Sequence, residues 1–171
     1  AAKLFHPKAI VRITGDCPLI DPEVVDLVVE KFVKTGADYG SNVNPPTWPD
    51  GLDTEIFSFT ALEIAWQESD YEYSREHVTP FFRLDPRFKK VNVVAASDMS
   101  VERWTVDEFI DLDMIQATIN HFYPRIHFGW REIQRAAPAQ GRRWHIRRSA
   151  WAVSIPLHHH FHSPPSDRRS R

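Results

Sequence analysis

One cysteine, two methionines and six glycines in 171 residues already exclude several classes of protein. A lone thiol, Cys17, closes no intrachain disulfide, so a disulfide scaffold is ruled out and a reducing compartment is expected. Cys17 reads either as a nucleophile or as a small buried apolar residue, and the sequence favours the second. No apolar run approaches the ~20 residues that span a bilayer. The opening Ala1-Ala2-Lys3-Leu4-Phe5-His6-Pro7 has no signal-peptide apolar core. Together these absences predict a soluble, cytoplasmic protein with no membrane partner. No internal repeat is found, and periodicity is missing from about Ala136 onward.

Lysine is absent from residues 121–171, which hold 10 arginines against Glu132 and Asp167, a balance of +8. Residues 1–120 hold 11 Lys and Arg against 21 Asp and Glu, a balance of −10. The expected division is an α/β domain over 1–136 and a basic tail over 137–171. His158-His159-His160 with His162 lacks the framework and spacing of a structural metal site. The pairs Arg142-Arg143, Arg147-Arg148 and Arg168-Arg169, with Trp144 and Trp151 between them, could attract nucleic acid. A disordered or unrelated-frame tail accounts better for this all-arginine composition, which disfavours a nucleic-acid partner.

What is present is concentrated in Ile10-Val11-Arg12-Ile13-Thr14-Gly15-Asp16-Cys17-Pro18-Leu19-Ile20-Asp21-Pro22. Ala9 to Thr14 reads as a buried strand, followed by a turn and a helix with Asp21 as N-cap and Pro22 at its first position. Val24, Val25, Val28, Phe32 and Val33 form its apolar face, and Gly36 ends it. Strands are expected at 37–41, 52–59, 90–96 and 101–106. Helices are expected from the Thr60-Ala61-Leu62-Glu63 capping box, from Ser74 to about Arg83, and from Thr105-Val106-Asp107-Glu108 to about Phe122. Strands alternating with helices predict a three-layer α/β fold with a mainly parallel sheet. Asp16 and Asp107 then stand at two strand-to-helix junctions, where open α/β sheets bind ligands, and suit a hard divalent cation carrying phosphate.

Five pieces in order carry a resemblance: Arg12 to Pro22, Pro49 to Glu55, Arg75-Glu76-His77-Val78-Thr79-Pro80, Arg103-Trp104-Thr105-Val106-Asp107-Glu108, and Phe128-Gly129-Trp130-Arg131. From about Ala9 to Ile133 the chain resembles the spore-coat-polysaccharide cytidylyltransferases, kin of the CMP-sugar-acid synthetases. The resemblance implies a nucleotide-diphospho-sugar transferase fold, CTP as donor, Mg²⁺ as cofactor, and a sugar or sugar acid as acceptor in surface-polysaccharide synthesis. It leaves room for a homodimer. Two positions depart from the pattern: Phe109 stands where proline is usual, and Glu102 replaces an uncharged residue. The glycine- and arginine-rich nucleotide loop expected ahead of the first strand is also missing. The expectation is therefore an N-terminally truncated fragment that does not turn over CTP by itself. Another nucleotide-sugar transferase of the same fold, or a non-catalytic basic-tailed binding protein, are the alternatives.

In a cytidylyl transfer an acceptor oxygen attacks the α-phosphorus of CTP and pyrophosphate leaves. Mg²⁺ needs only one or two protein carboxylates. Asp16 and Asp107 fit that requirement as catalytic metal ligands, or serve as a turn acid and a first-turn helix acid. Asp50, Asp53 and Glu55 could accept hydrogen bonds from sugar hydroxyls, or solvate a loop. The period of two places Asp53 and Glu55 on one strand face. Arg75 could grip a phosphate or carboxylate, with His77 as a proton-transfer candidate; surface charge and a satisfied histidine are the alternatives. Arg12 and Arg103 meet substrate phosphate or pair with a neighbouring acid.

Overall fold

The computed structural model describes residues 2–69, 75 and 77–136. The expectations for residues 137–171 and for the helix cap at Ser74 lie outside the described residues. After a 3₁₀ turn, Ala2–Phe5, the order is β1 (Ala9–Arg12), α1 (Pro22–Thr35), β2 (Tyr39–Ser41), β3 (Glu55–Ser58), α2 (Phe59–Glu68), α3 (Thr79–Leu84), β4 (Lys90–Asn92), α4 (Phe109–Phe122) and α5 (Trp130–Ala136).

The four strands form one sheet in the order β1-β3-β2-β4. β3 runs antiparallel to both β1 and β2, and β4 is parallel to β2. Thus β1, β2 and β4 point the same way and β3 alone opposes them. The mainly parallel direction expected from the β–α alternation holds for three strands, and β3 makes the sheet a mixed one. The reason is local: β2 reaches β3 through the loop Asn42–Thr54 with no helix in it, and a parallel neighbour requires a crossover.

Strand alternation then separates the two faces. Gly40 and Ile56 face α1, meeting Val28 and Phe32. A Cβ on Gly40 would sit 3.0 Å from Ile56 Cγ2, so the close approach of strand and helix needs a glycine there. Tyr39 and Phe57 face α2 and α3, where both rings stack on Phe82, with centroids 5.7 and 5.0 Å away. A third apolar cluster, including Leu19, Trp48, Leu52, Trp104, Ile115 and Ile133, joins α1, α4 and α5 beneath the long loops.

The α1 boundaries agree with the sequence. Asp21 caps Glu23 N–H, Pro22 opens the helix, and Gly36 closes it with φ 58°. Val33, expected on the apolar face, is 70% exposed, since only Val24, Val28 and Phe32 of that set turn fully inward. The other departures follow from local bonding. β1 stops at Arg12 because the chain turns at 14–17. α2 starts at Phe59 because Ser58, not Thr60, takes the cap, its hydroxyl accepting from Ala61 N–H at 3.0 Å. Residue 75 and residue 77 are helical, but Val78 has φ 62°, which separates them from α3. Residues 101–106 are not a strand: they form a strap that touches the loop at Asp50 through one isolated parallel bridge, Asp50 with Arg103.

Candidate active site at the carboxyl edge of the sheet

Arg12, Ser41 and Asn92 are the last residues of β1, β2 and β4 and lie in one register row with Glu55, the first residue of β3. The carboxyl ends of three strands therefore open onto one edge, where α/β sheets bind ligands. Two loops and the strap cover it. The Asp16 turn is stitched to the strap by Val106 N–H donating to Asp16 carbonyl at 2.8 Å and Thr105 Oγ1 donating to the same oxygen at 3.1 Å. The Asp50 loop is stitched to the strap by Asp50 N–H to Glu102 carbonyl, 3.0 Å, and Trp104 N–H to Asp50 carbonyl, 2.6 Å. Gly51 makes that approach feasible: its φ is 108°, and a Cβ there would lie 2.4 Å from Trp104 C.

This stitching gathers carboxylates. Asp107 follows Val106 directly and its carboxylate accepts from Arg103 Nη2 at 2.6 Å. The same guanidinium reaches Asp50 at 3.3 Å and makes two 2.9 Å bonds to Asp111. Asp111 is buried and also accepts from Asp107 and Glu108 N–H. Arg103 first, then those N–H groups, hold its carboxyl far below the usual range. Glu108 is the N-cap of α4, in a capping box with Asp111, so the box expected to start at Thr105 is shifted by three residues; Thr105 instead bonds to Asp16. The premise that Asp107 ends a strand is corrected likewise, since it ends the strap.

Asp53 precedes β3 rather than sharing a strand face with Glu55, because β3 begins at Glu55. Burial, then the charges of Asp50 and Glu55 and, further down, Asp16, push its pKa up to about 6 against the opposing Arg83. Burial, with Asp107, Asp16 and Asp111, also raises Asp50 despite Arg103. Asp16 goes the other way: a hydrogen bond from Thr14 outweighs its slight burial and lowers it. Cys17 is buried beside it, as a small core residue. Asp50 thus feels both Asp16 and Asp107, and Asp53 feels Asp50 and Asp16.

Glu55 is 3% exposed and fully engaged. It accepts from Arg12 Nη1 at 2.8 Å, Arg83 Nη2 at 2.6 Å and Tyr39 Oη at 2.5 Å. Burial would raise its pKa, but Arg83, Tyr39 and Arg12 together hold it below the ordinary value. Its expected role as a sugar contact gives way to that of a buried anchor. Arg12 pairs with Glu55, and Arg103 with Asp50, Asp107 and Asp111. Arg75 and His77 are exposed, and Arg75 stands over the Trp66 ring of α2 at 5.4 Å. Three participants were not singled out from sequence: Tyr39, Arg83 and Asp111. Only Asp111, one helical turn beyond Asp107, had a local signal.

Among the described residues, no three His, Cys, Asp or Glu side chains converge tightly enough to hold a metal ion by themselves. Hard oxygen donors in ones and twos are nonetheless the set that Mg²⁺ uses when phosphates complete its shell. Among the described residues no helix is long and apolar enough to cross a membrane.

Comparisons with known proteins agree with this architecture. The family model described as cytidylyltransferase matches residues 1–119. An uncharacterised protein of Methanocaldococcus jannaschii is 37% identical over 125 residues, 71% of this chain and 50% of its own length. The spore coat polysaccharide biosynthesis protein SpsF of Bacillus subtilis is 30% identical over 115 residues, 65% of this chain and 47% of its own. The chain spans about half the length of these curated relatives. A solved cytidylyltransferase from Leptospira borgpetersenii superposes with a TM-score of 0.75 at 30% identity, covering 79% of this chain and 58% of that one. The open α/β sheet with helices on both faces is consistent with the nucleotide-sugar transferase fold. With the matched model covering well over half its residues, the chain belongs to the cytidylyltransferase family.

Proposed function

We propose that the protein transfers CMP from CTP to a sugar or sugar acid that enters surface-polysaccharide synthesis. The observation that carries this is the strap: one segment ties the Asp16 turn and the Asp50 loop together and sets Asp107 beside them. An acceptor hydroxyl oxygen attacks the α-phosphorus, a new P–O bond forms, and the bond to pyrophosphate breaks. Asp16 and Asp107 would hold Mg²⁺. Bound there with the nucleotide, the ion would neutralise phosphate charge. Asp50 and Asp53 accept hydrogen bonds from acceptor hydroxyls. Asp53, with a pKa of about 6, is ionised at neutral pH yet basic enough to take the hydroxyl proton. Positioning supplies the rest of the rate. SpsF, whose name places it in spore-coat polysaccharide synthesis, supports the pathway assignment.

The test is pyrophosphate release by the full-length protein with Mg²⁺, CTP, UTP or GTP, and a panel of sugars and sugar acids. The expected result is release with CTP that falls at least 100-fold in Asp16→Asn. Preferential release from UTP or GTP, or none with any nucleotide, would overturn the proposal.

A further inference from the structure

Glu55 is a single buried carboxylate that holds two arginines. Arg12 comes from the end of β1 and Arg83 from the last turn of α3. Both side chains reach Glu55 on the same face of the sheet, yet 31% and 36% of them respectively stay open to solvent. Arg83 Nε also donates to Tyr39 Oη at 3.2 Å, and that hydroxyl donates on to Glu55. Three N–H bonds are directed inward, out of the ten that two guanidinium groups carry. Two cations share one buried carboxylate, and the next acids that feel them are Asp53 and Asp16.

This pair is unlike Arg103, which is shared among three carboxylates. It is also built for rigidity. Tyr39 and Glu55 are buried, Tyr39 is stacked on Phe82, and Arg12 and Glu55 are directly paired across β1 and β3. A guanidinium fixed in this way loses little freedom when it accepts an oxyanion and presents its fork in a set orientation. The pair lies beside Asp53 and Asp16, whose carboxyls feel Arg83 and Arg12 respectively. One edge therefore carries carboxylates and two guanidiniums held on Glu55 close together.

We infer that Arg12 and Arg83, clamped by Glu55 and Tyr39, form an oxyanion-binding pair that receives an anionic group of a substrate at this edge. The inference rests on the transfer reaction proposed above, and its residues are distinct from Asp16 and Asp107, the carboxylates proposed there to hold the metal. The oxyanion has two sources in that reaction, the polyphosphate of the nucleotide and the carboxylate of a sugar acid. Glu55 and Tyr39 are positioning residues; the arginines make the contact.

The test is NMR of the arginine Nε–Hε groups in the full-length protein. It is titrated separately with CTP, with N-acetylneuraminate as a carboxylate probe, and with N-acetylmannosamine as its uncharged counterpart, all without added metal. The Arg12 and Arg83 resonances are expected to shift with at least one anion and not with the neutral sugar. The anion that shifts them identifies the source. Arg83→Gln and, independently, Arg12→Gln should weaken that anion at least tenfold, with Arg87→Gln, an exposed arginine bound to Asp85 and Glu68, unchanged. Unmoved resonances with both anions overturn the inference, and that readout needs no variant to fold. Unaltered anion affinity in folded Arg83→Gln overturns it too. Anion binding without pyrophosphate release would support the pair while refuting the transfer reaction.

Discussion

A single carboxylate, that of Asp21, caps α1 and reaches the start of α5 at Trp130. Its Oδ1 accepts from Glu23 N–H at 2.7 Å and its Oδ2 from Trp130 N–H at 2.6 Å, across 109 residues of sequence. Asp21 is 4% exposed, so both bonds are shielded. Asp21→Ala removes two buried bonds to helix-terminal N–H groups and is expected to cost about 2–4 kcal/mol. Urea unfolding monitored by tryptophan fluorescence measures it. A loss below about 0.5 kcal/mol would show that the two termini need no common cap.

Gly51→Ala should be among the most damaging small substitutions in the chain. The added Cβ meets the Trp104–Thr105 peptide group at 2.4–2.7 Å, which no side-chain movement relieves, at a φ of 108°. The expected cost is about 3 kcal/mol or more. The Asp50–strap hydrogen bonds should break with it, which amide hydrogen exchange at Trp104 would report as faster exchange.

Glu55→Gln tests the buried anchor. It leaves two arginines facing a neutral group, and removing one partner of a buried ionic network typically costs about 3–5 kcal/mol. Thermal unfolding near pH 7 checks this. Because the Glu55 carboxyl lies below its ordinary value, its stabilisation is present at neutral pH and lost as the medium is acidified. The wild-type advantage over Glu55→Gln should shrink as pH falls below about 4.

Asp53 has the opposite sign. Its folded pKa of about 6 exceeds the ordinary 3.8, so its contribution is complete below the unfolded value and is lost as pH rises through 6. A shift of about two units corresponds to at most about 3 kcal/mol. Asp53→Asn should therefore be more stable than wild type at pH 8, with the difference narrowing towards pH 4. Melting temperatures of both proteins across pH 4–8 decide it; a constant difference would mean Asp53 is not raised.

The sequence showed α1 to the residue because its signals are local: an Asp cap, Pro at the first position, Gly at the end. The premise from which Asp16 and Asp107 are read as a pair, two strand ends, is half right: Asp16 follows a strand and Asp107 follows a strap. The strap looks like a strand in sequence because Val101, Trp104 and Val106 are strand formers; its hydrogen bonds go to two separate loops, which no periodicity reveals. The reversal of β3 was hidden for a similar reason, as strand direction depends on the intervening loop. Arg83 was invisible because its partners Tyr39 and Glu55 lie 44 and 28 residues away.

The central claim is that Asp16 and Asp107 jointly hold a divalent ion that carries CTP. Electron paramagnetic resonance of Mn²⁺, titrated into the full-length protein with saturating CTP, tests it directly. Loss of the free Mn²⁺ signal beyond that caused by CTP alone is expected. Asp16→Asn and Asp107→Asn should each weaken this binding at least tenfold, with folding verified by circular dichroism. Wild-type Mn²⁺–CTP affinity in both variants would contradict the account.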